Sequence, residues 1–185
     1  MNKKVLIGIA DGTEELEVVT IIDVLRRAEI DVTVASVAPC HEVECSRGVR
    51  LVADELIGEC VAEDWDAIMV PGGMPGAQNL SDNEAFVTLL KQQHRSGKLI
   101  AAICAAPYIV LACHGLLEGK SATAYPGFRE DLTTVGVMPS DEVVVIDGNI
   151  ITSQGPGSAM QFALAVVTRL CGEELSHTVA DALLV

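Results

Sequence analysis

The sequence predicts an α/β fold: a mostly parallel sheet with helices on both faces and a small β-hairpin. Three observations lead there. Short β-branched apolar runs alternate with longer amphipathic segments. The runs are apolar at nearly every position, as strands buried on both faces are, rather than alternating in and out. The chain has 185 residues, 50% of them apolar and 21% charged, which suits one sizeable core and excludes intrinsic disorder.

Val5–Ala10 (VLIGIA) reads as the first buried strand. Ile21, Val24, Leu25 and Ala28 recur at helical spacing, so Glu14–Ala28 reads as a helix that starts near Asp11 or Thr13. Asp31–Val37 is a second strand, and Glu42–Asp54 holds two short strand pieces around Ser46-Arg47-Gly48, a hairpin signature. Ala67–Val70 is a strand running into Pro71-Gly72-Gly73. Asn83–Ser96 is a helix, Leu99–Ile103 a strand, and a helix follows from Ala105 or Ala106 to about His114. Ser121–Ala124 is a short strand. Glu142–Ile146 and Asn149–Thr152 pair around Asp147-Gly148, a type I′ signal. Ser158–Leu170 and Glu173–Leu184 close the chain as helices, and residues 1–185 read as a single domain. Ligands in such folds sit beyond the carboxyl ends of the strands. That singles out Ala10–Glu17, Pro71–Gly76 and Ile103–Pro107.

Composition narrows the function. Lys plus Arg is 12 against 26 Asp plus Glu, a net charge of −14 that disfavours nucleic acid as the main partner. Aromatics are 3% of the chain, too few for a base-stacking platform. The apolar run after Lys3-Lys4 ends at Asp11, too short for a signal peptide. The longest apolar stretch, Leu99–Cys113, falls short of the about 20 residues that cross a bilayer. A cytoplasmic protein with no membrane partner is expected. Six cysteines form no CxxC pair and four histidines show no ligand spacing, so reduced thiols and no metal are expected.

The strongest chemical signal is Ala102-Ile103-Cys104-Ala105-Ala106. A strand feeds into a helix with one nucleophilic side chain at the joint and small residues two positions either side, the pattern of a nucleophile elbow. A helix N-terminus beneath the thiol would favour the thiolate. The same pattern also fits a small buried apolar cysteine. Glu17 lies on the stripe of Ile21, Val24 and Leu25. It is either a buried acid with a raised pKa or, like Glu14 and Glu15, a first-turn acid that complements the helix dipole. Pro71-Gly72-Gly73-Met74-Pro75-Gly76 offers backbone N–H groups to an anion, or is simply a tight turn. It lacks the Lys-Ser/Thr of a P-loop. Gly155-Pro156-Gly157 fits a turn better, and Trp65 reads as a packing residue.

Taken together, GTEELEVV (12–19), ECSRGV (44–49), PGGMPGAQNL (71–80), LIAAICAAP (99–107) and TSQGPGSAMQFALAVV (152–167) resemble the ThiJ/PfpI superfamily. Within it the resemblance is to the branch of the parkinsonism-associated protein deglycase and the bacterial YajL. It covers nearly the whole chain and implies a flavodoxin-like fold and a homodimer. It implies that Cys104 is the reactive, oxidisable nucleophile and Glu17 the protonatable acid beside it. Gly73 and Ala105 would be the oxyanion N–H donors, and Cys45 and Arg47 would lie near the dimer interface. Tyr125 stands where many members have a His. A phenol hydrogen-bonds but is a poor proton shuttle at neutral pH, so acid/base work falls to Glu17. Ala105 replaces the His of the protease-like branch, and no downstream His-x-Glu suits an amidotransferase.

The expected activity is a glutathione-independent glyoxalase or protein deglycase without a cofactor. It would act on methylglyoxal, glyoxal or glycated protein amines through a Cys104 hemithioacetal. The alternative is a redox-responsive stress sensor or chaperone whose Cys104 is oxidised to sulfinate.

Overall fold

The computed structural model describes residues 3–185. In chain order the elements are β1 (Lys4–Ile9), α1 (Glu15–Arg27), β2 (Asp31–Ser36), β3 (Glu42–Glu44), β4 (Arg50–Val52) and β5 (Glu55–Leu56). There follow α2 (Ile57–Cys60), β6 (Ala67–Val70), α3 (Gly76–Asp82), α4 (Glu84–Arg95) and β7 (Leu99–Ile103). The remainder comprises β8 (Ser121–Ala122), α5 (Pro126–Arg129), β9 (Met138–Pro139), β10 (Val144–Asp147), β11 (Ile150–Ser153), α6 (Ala159–Cys171) and α7 (Glu173–Leu183).

Seven strands make one sheet in the order β10-β11-β7-β6-β1-β2-β5. Every neighbouring pair is parallel except β10–β11. Stripped of the two edges, the order is the 2-1-3-4-5 of a flavodoxin-like fold. The two faces of β1 explain the layers. Val5, Ile7 and Ile9 join Ile21, Val24 and Leu25 of α1 and Phe162 and Val166 of α6. Leu6 packs on the other side with Leu80 of α3 and Phe86 and Leu90 of α4. All of these side chains are fully buried, each contributing roughly 1.5–3 kcal/mol. Gly8 interrupts the run because Phe86 lies on it: a Cβ there would come within 2.6 Å of the ring.

The helix expected after the elbow is present and ends at His114, but it is wound as π and 3₁₀ turns rather than as α-helix. Residues 107–111 form a π-helix and 112–114 a 3₁₀ turn, and the Ala112 N–H reaches back to the carbonyl of Pro107. π-Turns of this kind often accompany functional sites. The β10–β11 turn is displaced by one residue from the expectation. Asp147 pairs with Ile150, leaving Gly148-Asn149 as the turn. Only Gly148 has positive φ (62°), the pattern of a type II′ rather than a type I′ turn. Neither Asp11 nor Thr13 caps α1. The Thr13 hydroxyl accepts from the Ala10 N–H at 3.0 Å instead, and the residue preceding the helix, Glu14, makes no side-chain cap. The edge strand β5 and helices α2 and α3 carried no periodic signal long enough to read. Among the described residues no helix is long and apolar enough to cross a membrane.

Candidate active site

The three loops singled out at the strand ends meet at the carboxyl end of β1, β6 and β7. They meet backbone to backbone, which is why glycines are needed. The Glu14 N–H donates to the Gly72 carbonyl at 3.1 Å. Gly73 has φ +86°, and a Cβ there would lie 2.4 Å from the Glu14 nitrogen and the Gly12 carbonyl oxygen.

Cys104 follows the last residue of β7 and has φ +67°, a left-handed conformation that costs a non-glycine residue about 1–3 kcal/mol. The bend is held from both sides: the Cys104 N–H donates to the Ser153 carbonyl at 3.0 Å, and the Tyr125 N–H donates to the Cys104 carbonyl at 2.8 Å. Gly72 lies against it, since a Cβ at that position would come within 2.5 Å of the Cys104 Cβ. The fold therefore spends backbone strain to turn this one thiol out of the sheet.

Glu17 projects from α1 into the same junction and is fully buried. Its Oε2 accepts the Gly72 N–H at 2.8 Å, and its Oε1 is buried without a hydrogen-bond partner. Burial pushes its carboxyl up to about 7, against the opposing pull of the Gly72 N–H and the Cys104 thiol. Of the two positions open to it in the sequence, Glu17 therefore takes the buried one. The Cys104 thiol is pushed up to about 12, by burial first and then by the Glu17 charge, while the Gly73 and Ala105 N–H groups pull it down. This corrects the expectation of a lowered thiol pKa. Burial beside an acid outweighs the helical segment that follows. Protonation of Glu17 removes the charge that opposes the thiolate.

The thiol opens into a cleft of about 420 Å³, with Gly73 and Ala105 beside it and Glu14, Ser46, Arg47 and Tyr125 among its walls. Tyr125 is half-exposed at the mouth. Arg47 reaches the cleft from the turn between β3 and β4. There the Gly48 N–H closes on the Cys45 carbonyl at 3.0 Å. Cys45 is buried beneath this turn. Burial, then Glu15, Glu14 and Asp11, pushes its thiol to about 11.

Glu15 and Ser46 were not singled out in the sequence. Glu15 is not a solvated first-turn acid: its carboxylate accepts the Arg47 N–H at 2.9 Å and the Ser46 hydroxyl at 3.0 Å. No local pattern reveals this, because the partners lie more than thirty residues away. Met74 and Phe128 also line the cleft. Another cleft of about 310 Å³ is bordered by Lys4, Glu55, Glu59, Cys60 and Glu63; its thiol is buried and pushed to about 11, by burial first and then by the three glutamates. Trp65 packs in the core and donates to the Cys60 carbonyl at 3.2 Å. Among the described residues no three His, Cys, Asp or Glu side chains gather where a metal ion could sit.

A flavodoxin-like sheet with a strained cysteine at the β7 elbow and a buried glutamate behind it defines a class: α/β proteins of the cysteine-elbow type. The chain belongs to the DJ-1/PfpI family, whose model matches residues 3–169. It is 45% identical over 182 residues to protein DJ-1 homolog B of Arabidopsis thaliana, covering 98% of this chain but only 41% of that relative's length. It is 36% identical over 173 residues to the glutathione-independent glyoxalase DJR-1.2 of Caenorhabditis elegans, covering 94% and 91% of the two chains. The solved structure of oxidized Toxoplasma gondii DJ-1 superposes with a TM-score of 0.95 at 45% identity, over 98% of each chain.

Proposed function

We propose that this protein is a glutathione-independent glyoxalase and deglycase that uses Cys104 as nucleophile, Glu17 as proton carrier and no cofactor. The observation that carries the reading is the pairing of an outward-turned thiol with a buried carboxyl that titrates near neutrality. The similarity to a relative named as a glyoxalase supports it.

The chemistry balances without an external oxidant. The thiol adds across the aldehyde: a C–S bond forms, and the former carbonyl oxygen takes the proton to give a hemithioacetal. The N–H groups of Gly73 and Ala105 stabilise the charge developing on that oxygen. Ionised Glu17 then removes the proton from the former aldehyde carbon and returns it to the neighbouring ketone carbon. The first carbon is oxidised to a thioester as the second is reduced to an alcohol. Water cleaves the thioester, releasing the 2-hydroxy acid and the free thiol. On a glycated amine, the same attack on the hemiaminal carbon expels the amine.

The test is methylglyoxal consumption with lactate detection, without glutathione. Wild type should convert methylglyoxal to lactate and Cys104→Ser should not; equal rates in the two proteins would overturn the proposal. A second reading, oxidation of Cys104 to a sulfinate, has support in the unpartnered Glu17 Oε1, which in its protonated form can donate to a sulfinate oxygen. Peroxide mass mapping separates it: two oxygens added at Cys104 alone would favour it.

We also propose a homodimer. Leu16 and Val19 of α1, and Val49 and Val52 of the hairpin, leave apolar residues 46% to 73% exposed on neighbouring elements. A monomer mass by light scattering at micromolar concentration would refute this.

A further inference from the structure

The chain has six aromatic residues: one Trp, two Tyr and three Phe. Trp65, Phe86 and Phe162 are buried in the core. The other three gather at the nucleophile's end of the molecule. Tyr108 lies in the π-turn directly after the elbow and stacks on Phe128, with centroids 6.0 Å apart and planes 19° from parallel. Phe128 lines the cleft of Cys104, as does Tyr125.

Tyr125 is held in place rather than swinging free. Its N–H donates to the Cys104 carbonyl at 2.8 Å, and its carbonyl accepts the Phe128 N–H at 2.8 Å. The edges of its ring run over two glycines: a Cβ at Gly155 would lie 3.4 Å from the ring and one at Gly127 3.6 Å. Tyr125 is nonetheless 47% exposed, and Met74, another wall of the cleft, is 48% exposed. An aromatic face and a thioether left half-wet beside a nucleophile form an apolar surface waiting for cover. The cleft, at about 420 Å³, falls within the about 300–1,000 Å³ of sites that enclose drug-sized ligands, far more than a three-carbon aldehyde fills.

Resting on the glyoxalase reading, we propose that Tyr125, Met74 and Phe128 set substrate specificity, and that the preferred substrates are 2-oxoaldehydes with an aryl or bulky apolar substituent. The substituent lies on the Tyr125 ring and against Met74 while the aldehyde carbon meets the Cys104 sulfur. Tyr125 is a specificity residue and takes no part in proton transfer.

The experiment compares initial kcat/KM for phenylglyoxal and methylglyoxal in wild type, Tyr125→Ala, Tyr125→Phe and Met74→Ala. The expected phenylglyoxal:methylglyoxal ratio in wild type is about tenfold, the gain of one aromatic contact with its burial. The ratio should fall toward unity in Tyr125→Ala, fall less in Met74→Ala and recover in Tyr125→Phe, which keeps the ring and loses only the hydroxyl. A wild-type ratio near unity, or one unchanged in Tyr125→Ala, overturns the proposal. If neither aldehyde is turned over, it is the glyoxalase reading that fails. The cleft is then decided by acetophenone against acetone as protectants of Cys104 from alkylation. Protection by acetophenone alone, lost in Tyr125→Ala, upholds the apolar site; equal or absent protection refutes it.

Discussion

Glu15 and Glu17 sit two residues apart on α1, both buried, and meet opposite environments. Glu15 faces the hairpin, where burial is outweighed by the Ser46 hydroxyl and the Arg47 and Val49 N–H groups, so its carboxyl is held below its ordinary value. Glu17 faces the strand ends, where one N–H reaches one oxygen and the other oxygen has no partner. Burial wins there and the carboxyl rises to about 7. The difference lies both in depth, Glu17 being much the more deeply buried carboxyl, and in the supply of donors. A carboxylate surrounded by N–H groups is a structural anchor; one left half-satisfied is a proton carrier.

The comparison breaks most visibly in catalysis. Glu17→Gln keeps the shape and an acceptor for Gly72 but cannot take up a proton. It should lower kcat/KM for methylglyoxal by about 10²–10⁴-fold. The acidic limb of the wild-type pH profile, expected near pH 7, should vanish with it. Retention of that limb in the variant would assign it to another group.

Stability should follow with a defined sign. The folded value of Glu17 lies above its ordinary 4.5, so its contribution is full below about 4.5 and is lost as pH rises through about 7. The amount is about 3 kcal/mol. Urea melts at pH 4.5 and pH 8.5 should therefore show wild type losing about that much more stability than Glu17→Gln.

Glu15 has the reverse sign. Its contribution is present above its ordinary 4.5 and lost as pH falls through its lowered folded value. Glu15→Ala leaves the Arg47 and Val49 N–H groups without their acceptor and should cost about 1–3 kcal/mol at pH 7. Amide exchange over residues 45–49 should quicken in that variant; unchanged exchange would remove Glu15 from its anchoring role.

The smallest effect belongs to the exposed Arg27–Asp23 pair of the same helix, 2.8 Å apart at spacing i, i+4. Arg27→Ala should cost about 0.3–0.5 kcal/mol and vanish into salt. A loss comparable to that of Glu15→Ala would mean that charge on α1, rather than the supply of donors, governs all three sites.

The sequence carried the main parallel strands, α1, α4 and the two closing helices, because long periodic runs state their buried face locally. It misjudged the turn at Gly148-Asn149, where the choice depends on pairing register, and it held the extent of the helix after Cys104 but not its π and 3₁₀ winding. Cys104 and Glu17 were legible as candidates, the first from its small flanking residues and the second from its place on an apolar stripe. Their protonation was not legible, nor was the anchoring of Glu15 by partners across the hairpin.

By itself, then, the chain's order of residues determined the layered α/β architecture and placed a cysteine, a glutamate and a glycine turn at strand ends. Periodicity and residue size act over a few positions and survive in any sequence that folds this way. The tertiary structure alone decided which acid is satisfied, that the thiol is pushed up rather than down, and that Tyr125 and Phe128 share the cleft of Cys104 with Tyr108 stacked on Phe128. Burial and donor supply are sums over distant neighbours, and no local stretch of sequence contains them.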